Sequence, residues 1–230
     1  GFCELFDPTF QPWTGGGEHF SFFNQPFAAE INFKMFCSSL RPLFLENKKE
    51  IEKLEQIKTD FSKLMSKEMQ LMWANKLGLK NYEETLTNEL FNLMFISKAD
   101  FTIFFRKLSH IPENISFLKE SFYSTPDEGL ENKWNTWIKK WRNCILKQND
   151  FKETSKSMKE VNPKFTWREW MIVPAYEEAE DGNYNLIKEL QSIFNNPYEE
   201  QSSEIAKKYN LLRPKEYFNE GGVSHYSCSS

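Results

Sequence analysis

The sequence predicts an all-α protein, and three observations carry that reading. Apolar residues recur every three or four positions over long stretches, which is the period of one helix face. Capping residues open those stretches, and Gly or Pro closes them. No stretch alternates apolar and polar residues convincingly, as a half-buried strand would.

The elements follow in chain order. Residues 1–30 contain three of the ten prolines and the Gly15-Gly16-Gly17 run. Neither helix nor strand period survives there, so an irregular segment with docking aromatic side chains is expected. Over 46–76, Ile51, Leu54, Ile57, Phe61, Leu64, Met65, Met69 and Met72 form one apolar stripe opposite Lys and Glu. Gly78 ends that helix in the left-handed conformation, with Leu79 folding back on the last turn. The next helix takes Asn81 as its cap, with Glu84 three residues on and Leu86, Leu90 and Leu93 along one face. A short helix is capped at Asp100 and stops before Pro112. In "WNTWIKKWRNCILK", Trp134, Trp137, Trp141 and Ile145 share one side. Asn162 as cap and Pro163 at the first helical position predict another start, and Pro174 should kink or divide that helix. "DGN" is a turn before a helix over 183–194, with Leu186, Leu190, Ile193 and Phe194 inward. The Ser-rich end, "SHYSCSS", reads as a loose tail.

Composition narrows the function classes. The 230 residues suffice for a sizeable core, and 22 Phe and 7 Trp make that core unusually aromatic. A net charge of −4 argues against nucleic acid or an anionic membrane as partner. No apolar run is long enough to span a bilayer, and no signal peptide is evident. Cys3, Cys37, Cys144 and Cys228 lie far apart without a CxxC pair, which speaks against a zinc ribbon or a disulfide scaffold. The chain opens at Gly1-Phe2 without Met and reads as a piece of something longer.

Candidate chemistry is sparse. His19, His110 and His225 lack metal-ligand spacing, and "TGGGEHF" lacks the lysine and strand–helix setting of a phosphate loop. The GxGxxG, VAIK, HRD and DFG runs of protein kinases do not occur. The Trp-rich helix carries Lys139, Lys140 and Arg142, but these fall opposite the Trp face, so a core role is expected rather than base stacking. Asp100, Arg106 and Arg168 sit among aromatics, where buried ion pairs between helices are expected. Cys37 and Cys144 should be small apolar fillers. Cys228, on the solvated Ser-rich tail, is the candidate reactive thiol.

An ordered set of motifs resembles the C-terminal half of the selenoprotein O family, also called the YdiU family. It comprises "GFCELFDPTF" at 1–10, "FFNQP" at 22–26, "KLGL" at 76–79 and "NELFNLMFISKADFTIFFRKLS" at 88–109. It continues with "WNTWIKKWR" at 134–142, "VNPKFTWREWM" at 161–171, "AEDGNYNLIKEL" at 179–190, "NNPY" at 195–198 and "SCSS" at 227–230. The resemblance implies a protein-kinase-like (pseudokinase) fold, of which this chain is the helical C-lobe. It implies an irregular, activation-segment-like region at 1–44, helical C-lobe and extension at 45–210, and a flexible tail at 211–230.

The family's implied activity is transfer of AMP from ATP, with Mg²⁺ or Mn²⁺, to hydroxyls of protein substrates. Its members are cytosolic in bacteria and mitochondrial in eukaryotes, with roles linked to redox stress. The nucleotide-binding, catalytic and metal-binding residues of the family precede the position of Gly1. The metal aspartate falls in a DYGPFGF-like run that ends at Gly1-Phe2. No catalytic, cofactor or metal residue is therefore carried onto this chain, and its implied partner is the catalytic region upstream. Cys228 matches the family's near-terminal cysteine. The usual partner position falls at Pro12-Trp13; Cys3, which matches no family cysteine, lies in the same segment and is the candidate substitute. The family's Arg-Asn-aromatic run is "REW" here, and Arg168 is expected to be structural. The alternative is a stand-alone, non-catalytic helical interaction module of the same descent.

Overall fold

A computed structural model describes residues 3–11, 17–148 and 150–218. Among the described residues the regular elements are helical, and the extended backbone forms only isolated bridges. The α-helices are α1 (Gln25–Leu40), α2 (Lys48–Lys76), α3 (Glu84–Ile96), α4 (Phe101–Leu108), α5 (Glu128–Leu146), α6 (Phe151–Val161), α7 (Glu169–Glu180), α8 (Asn185–Phe194) and α9 (Ser203–Tyr209). The all-α expectation holds. The chain divides into two compact units, one spanning Asp7–Met72 and one joining residues 3–6 to those from Trp73 onward.

In the Asp7–Met72 unit, Phe22 N and Phe23 N donate to Phe10 O (2.9 Å) and Pro8 O (3.0 Å), tying the front segment to the turn before α1. Helix α1 corrects the irregular reading of 1–30. Pro26, in its first turn, is tolerated because its missing N–H has no intrahelical partner there. The sequence hid this helix because its apolar residues lie all round. Ala28 and Cys37 are buried, whereas Phe27, Ile31, Met35 and Phe36 are exposed. Cys37 is the apolar filler its position suggested. On α2, Leu54 is buried and Phe61 stacks on Phe33 with ring centroids 4.4 Å apart. Ile57, Leu64 and Met72 are exposed, so the apolar stripe is narrower than its sequence pattern.

Gly78 closes α2 as expected. Its φ is +66°, Gly78 N donates to Asn75 O (3.1 Å) and Leu79 N to Ala74 O (2.9 Å), the paired bonds of a Schellman end. Helix α3 starts at Glu84 with Glu83 at its N-cap, not at Asn81. The chain before it is held out of helix because Lys80 N donates to Gln148 Oε1 (2.7 Å). Asp100 does cap α4, accepting from Ile103 N at 3.0 Å.

The core of the second unit is aromatic. Trp134, Trp137 and Trp141 on α5 are enclosed, and each indole N–H is satisfied, by Ser97 Oγ, Leu86 O and Leu77 O, all at 2.8 Å. Burying an indole is favourable only when that donor finds a partner. Phe104, Phe122 and Trp134 pack around one another. None of the three Trp rings offers a face to a base. Lys140 instead pairs with Glu89, and Arg142 donates to Ile111 O at 2.5 Å.

The reading of 150–168 is corrected. Residues 151–161 form α6, capped by Asp150 through Glu153 N. Asn162 then ends α6 rather than opening α7, which begins at Glu169 after an extended run. Its amide is taken up by tertiary contacts and is not free to cap. Helix α7 continues through Pro174 undivided. The "DGN" turn and α8 are as expected, with Leu190 and Ile193 buried. Helices α7–α9 enclose a buried cluster whose members include Phe165, Trp170, Leu190, Ile193 and Tyr209. Leu211 and Tyr217, from the segment expected to be loose, pack against it.

Candidate functional site

Three short pieces of extended backbone lie side by side around Ala99 and Asp100. Leu5 bridges Asp100 and Ala99 bridges Phe122, both antiparallel. Phe6 N donates to Ala99 O (2.7 Å), Phe101 N to Glu4 O (2.8 Å), Asp100 N to Ser121 O (2.7 Å) and Tyr123 N to Lys98 O (3.0 Å). This arrangement gathers the side chains of Glu4, Asp100 and Tyr123. Arg168, the N-cap residue of α7, meets them from the C-terminal part of the unit.

Arg168 binds Asp100 with both prongs, Nη1 to Oδ2 at 2.6 Å and Nη2 to Oδ1 at 2.9 Å, and reaches Glu4 Oε2 at 3.2 Å. Tyr123 OH donates to Asp100 Oδ2 at 3.3 Å and accepts from Arg213 N at 3.1 Å. Asp100 and Arg168 are buried. A cation at a helix N-terminus opposes the helix dipole, and the two carboxylates offset that cost. Burial works against the Arg168 charge, but Asp100 and then Glu4 hold its pKa above the ordinary value. Burial raises Glu4, with Arg168 and Arg213 pulling the other way. Burial and the Asp100 charge raise Tyr123.

The site is a clamp. It fixes residues 3–6 onto the start of α4 through the paired charges of Glu4, Asp100 and Arg168. Cys3 lies in the clamped segment, buried, with its thiol donating to Leu5 O at 2.9 Å. Cys228 and Pro12-Trp13 lie outside the described residues. Among the described residues no group of three His, Cys, Asp or Glu could hold a metal ion.

The expected buried ion pair joins the start of α4 to that of α7, whereas Arg106 pairs with Glu200 on a loop. Asp100 and Arg168 meet in the clamp. Arg106 lies elsewhere, its Nη1 donating to Lys159 O and Asn162 O (3.0 Å each) at the end of α6 and its Nη2 to Glu200 Oε1 at 2.7 Å. Asn162 Nδ2 donates to Lys76 O (3.0 Å) and Ser109 Oγ (3.2 Å), while its Oδ1 accepts from Lys76 Nζ (2.8 Å). Burial pulls the Lys76 ammonium down to about 8. Glu4, Tyr123, Lys76 and Glu200 were not singled out from sequence. A lone acid inside the aromatic "GFCELF" was the one signal available, for Glu4.

The sequence matches the family described as protein adenylyltransferase SelO over residues 1–195. The chain belongs to the SelO family. Curated relatives agree. A protein nucleotidyltransferase YdiU of Aromatoleum aromaticum is 30% identical over 240 residues, covering 100% of this chain and 45% of that protein. That of Flavobacterium johnsoniae is 29% identical, covering 100% and 46%. That of Brevibacillus brevis is 30% identical over 188 residues, covering 78% and 36%. This SelO-family chain thus spans about half the length, or less, of the curated relatives it matches. No helix among its described residues is long and apolar enough to cross a membrane.

Proposed function

We propose that this chain is the C-terminal region of a SelO-type protein adenylyltransferase, which moves AMP from ATP to Ser, Thr or Tyr hydroxyls of proteins. In this reading the chain is the helical C-lobe of a kinase-like fold. The residues that hold ATP and Mg²⁺ or Mn²⁺ belong to the part of the family protein that lies outside it. The observation that carries the reading is the clamp. The Glu4 carboxylate is held by Arg168, and the backbone of residues 4–6 by Phe101 N and Ala99 O. By the motif resemblance, residues 3–6 follow directly on the run that contains the family's metal-binding aspartate. A fixed anchor there would set the position of that aspartate, and electrostatic catalysis at a triphosphate depends on such positioning.

Incubation with labelled ATP and a generic protein acceptor tests the proposal. The 230-residue chain alone should transfer no AMP, and a form extended upstream to the length of its relatives should transfer it. In the extended form Arg168→Ala should lower transfer while the chain remains folded by circular dichroism. AMP transfer by the 230-residue chain alone would overturn the assignment. An inactive extended form would favour a non-catalytic interaction module. The redox part of the reading has Cys228 as the reactive thiol and Cys3 as its substitute partner. Peptide mapping after mild oxidation should find the Cys3–Cys228 bridge, and exclusive pairing of Cys228 with another thiol would refute it. The compartment follows the family, mitochondrial in a eukaryotic host and cytosolic in a bacterial one.

A further inference from the structure

Arg106 presents a half-filled fork. In a guanidinium, Nε–H and the Nη2–H beside it point the same way and match two oxygens of one oxyanion. Here Nη2 holds Glu200 Oε1 at 2.7 Å, while Glu200 Oε2 turns to Lys164 Nζ at 2.8 Å. The Nε of Arg106 is buried without a hydrogen-bond partner. The other prong, Nη1, is fixed by Lys159 O and Asn162 O, so the fork cannot swing away to find an acceptor. A buried donor left open in this way is costly and calls for an explanation.

The charges around it point in the same direction. Three cations converge on the one carboxylate, with Lys159 Nζ 4.0 Å from Glu200 Oε1 beside Arg106 and Lys164. Lys107, nearby, is already paired with Glu120. Arg106 is buried, but the Glu200 side chain is 56% exposed and lies on the loop between α8 and α9. An exposed loop carboxylate sits where an external anion could replace it. A tetrahedral dianion would fill both positions of the Arg106 fork and still reach the two lysines.

We propose that Arg106, Lys159 and Lys164 form a phosphate-binding site in which Glu200 is a built-in competitor. The ligand is a phosphate dianion, free or carried as a phosphomonoester. Binding displaces the Glu200 carboxylate and frees the loop before α9 from α4 and α6.

Inorganic phosphate titrated into the 230-residue chain and into Glu200→Gln tests this, read by the Arg106 Nε–H resonance and by the thermal midpoint. Glu200→Gln should bind phosphate roughly tenfold more tightly than the parent, because the competitor is gone. Lys164→Ala in that background should abolish the gain. AMP in a parallel arm separates the sources. Tighter binding of AMP than of phosphate supports a phosphomonoester ligand, and weaker or equal binding supports free phosphate. Equal affinity of parent and Glu200→Gln would overturn the proposal, as would the same response to chloride at matched ionic strength. Should Glu200→Gln not fold, Glu200→Asp, whose shorter side chain draws the carboxylate back, gives the same readings.

Discussion

Arg168 shows how one residue can join distant parts of a chain. It lies 68 positions from Asp100 and 164 from Glu4, yet binds both. Removing one partner of a buried pair leaves the other charge unpaired, which typically costs about 3–5 kcal/mol. Arg168→Met and Asp100→Asn should each lower stability by roughly that amount in urea titrations, and the double variant should lose much less than their sum. An additive double variant would mean the two do not act as a pair. Lys76 is the opposite case. Its residue is partly exposed, but its ammonium ends over the rings of Phe105 (4.6 Å) and Phe101 (5.2 Å) with Asn162 as its hydrogen-bond partner. Its pKa falls from 10.5 to about 8 on folding, so between those pH values the unfolded chain binds more protons than the folded one. Stability should therefore rise through that window as the charge penalty is relieved. The raised tyrosines act in the reverse sense above their ordinary value, so the comparison must be with Lys76→Met. The parent-minus-variant stability should climb from pH 8 to 10.5, and a flat difference would refute the assignment.

At the scale of elements, Gly78 is where two helices are fitted together. A Cβ there would lie 2.4 Å from Thr154 Cγ2 and 2.8 Å from Met158 Sδ, both on α6, and φ is +66°. Strain and overlap act together, so Gly78→Ala should cost more than the roughly 1 kcal/mol of backbone strain alone, by thermal melting. No loss would mean that α6 can move. The helices with strong local signals were legible in sequence. Asp100 caps α4, the Trp face of α5 is buried, and the Gly78 end is as its residues dictate. Helix α6 escaped because its inward face is thin, chiefly Thr154 and Met158. The Asn162-Pro163 pair imitated a helix start. Only the fold shows that the Asn162 amide serves Lys76 and Ser109 instead. The clamp was half legible, since Asp100 and Arg168 stood out as charges among aromatics. Their pairing, and the part of Glu4, depend on backbone bridges between segments far apart in sequence. Local pattern cannot supply those.

At the scale of the molecule, the unit built from residues 3–6 and 73–218 has two apolar centres with polar joints between them. One is the aromatic core around Trp134, Trp137 and Trp141. The other is the α7–α9 cluster, whose described members all come from residues 165–217. The joints are Arg168 to Asp100 and Glu4, Arg106 and Lys159 to Glu200, and the Tyr123 hydroxyl to Arg213 N. Burial alone would raise Glu200, but hydrogen bonds from Lys164 and Arg106 hold it at about 2. Its contribution is thus present above the ordinary carboxylate value of 4.5 and is lost as pH falls toward 2. Apolar contacts within each centre are indifferent to that change. Regions joined by such pairs open as separate cooperative units when the pairs are weakened. Hydrogen exchange at pH 7 on Arg168→Met should therefore show faster exchange across 169–209 while 84–146 keeps its parent protection. Acidifying the parent toward pH 3 should produce a milder version of the same pattern. Equal loss of protection in both regions would show that the two apolar centres fold as one.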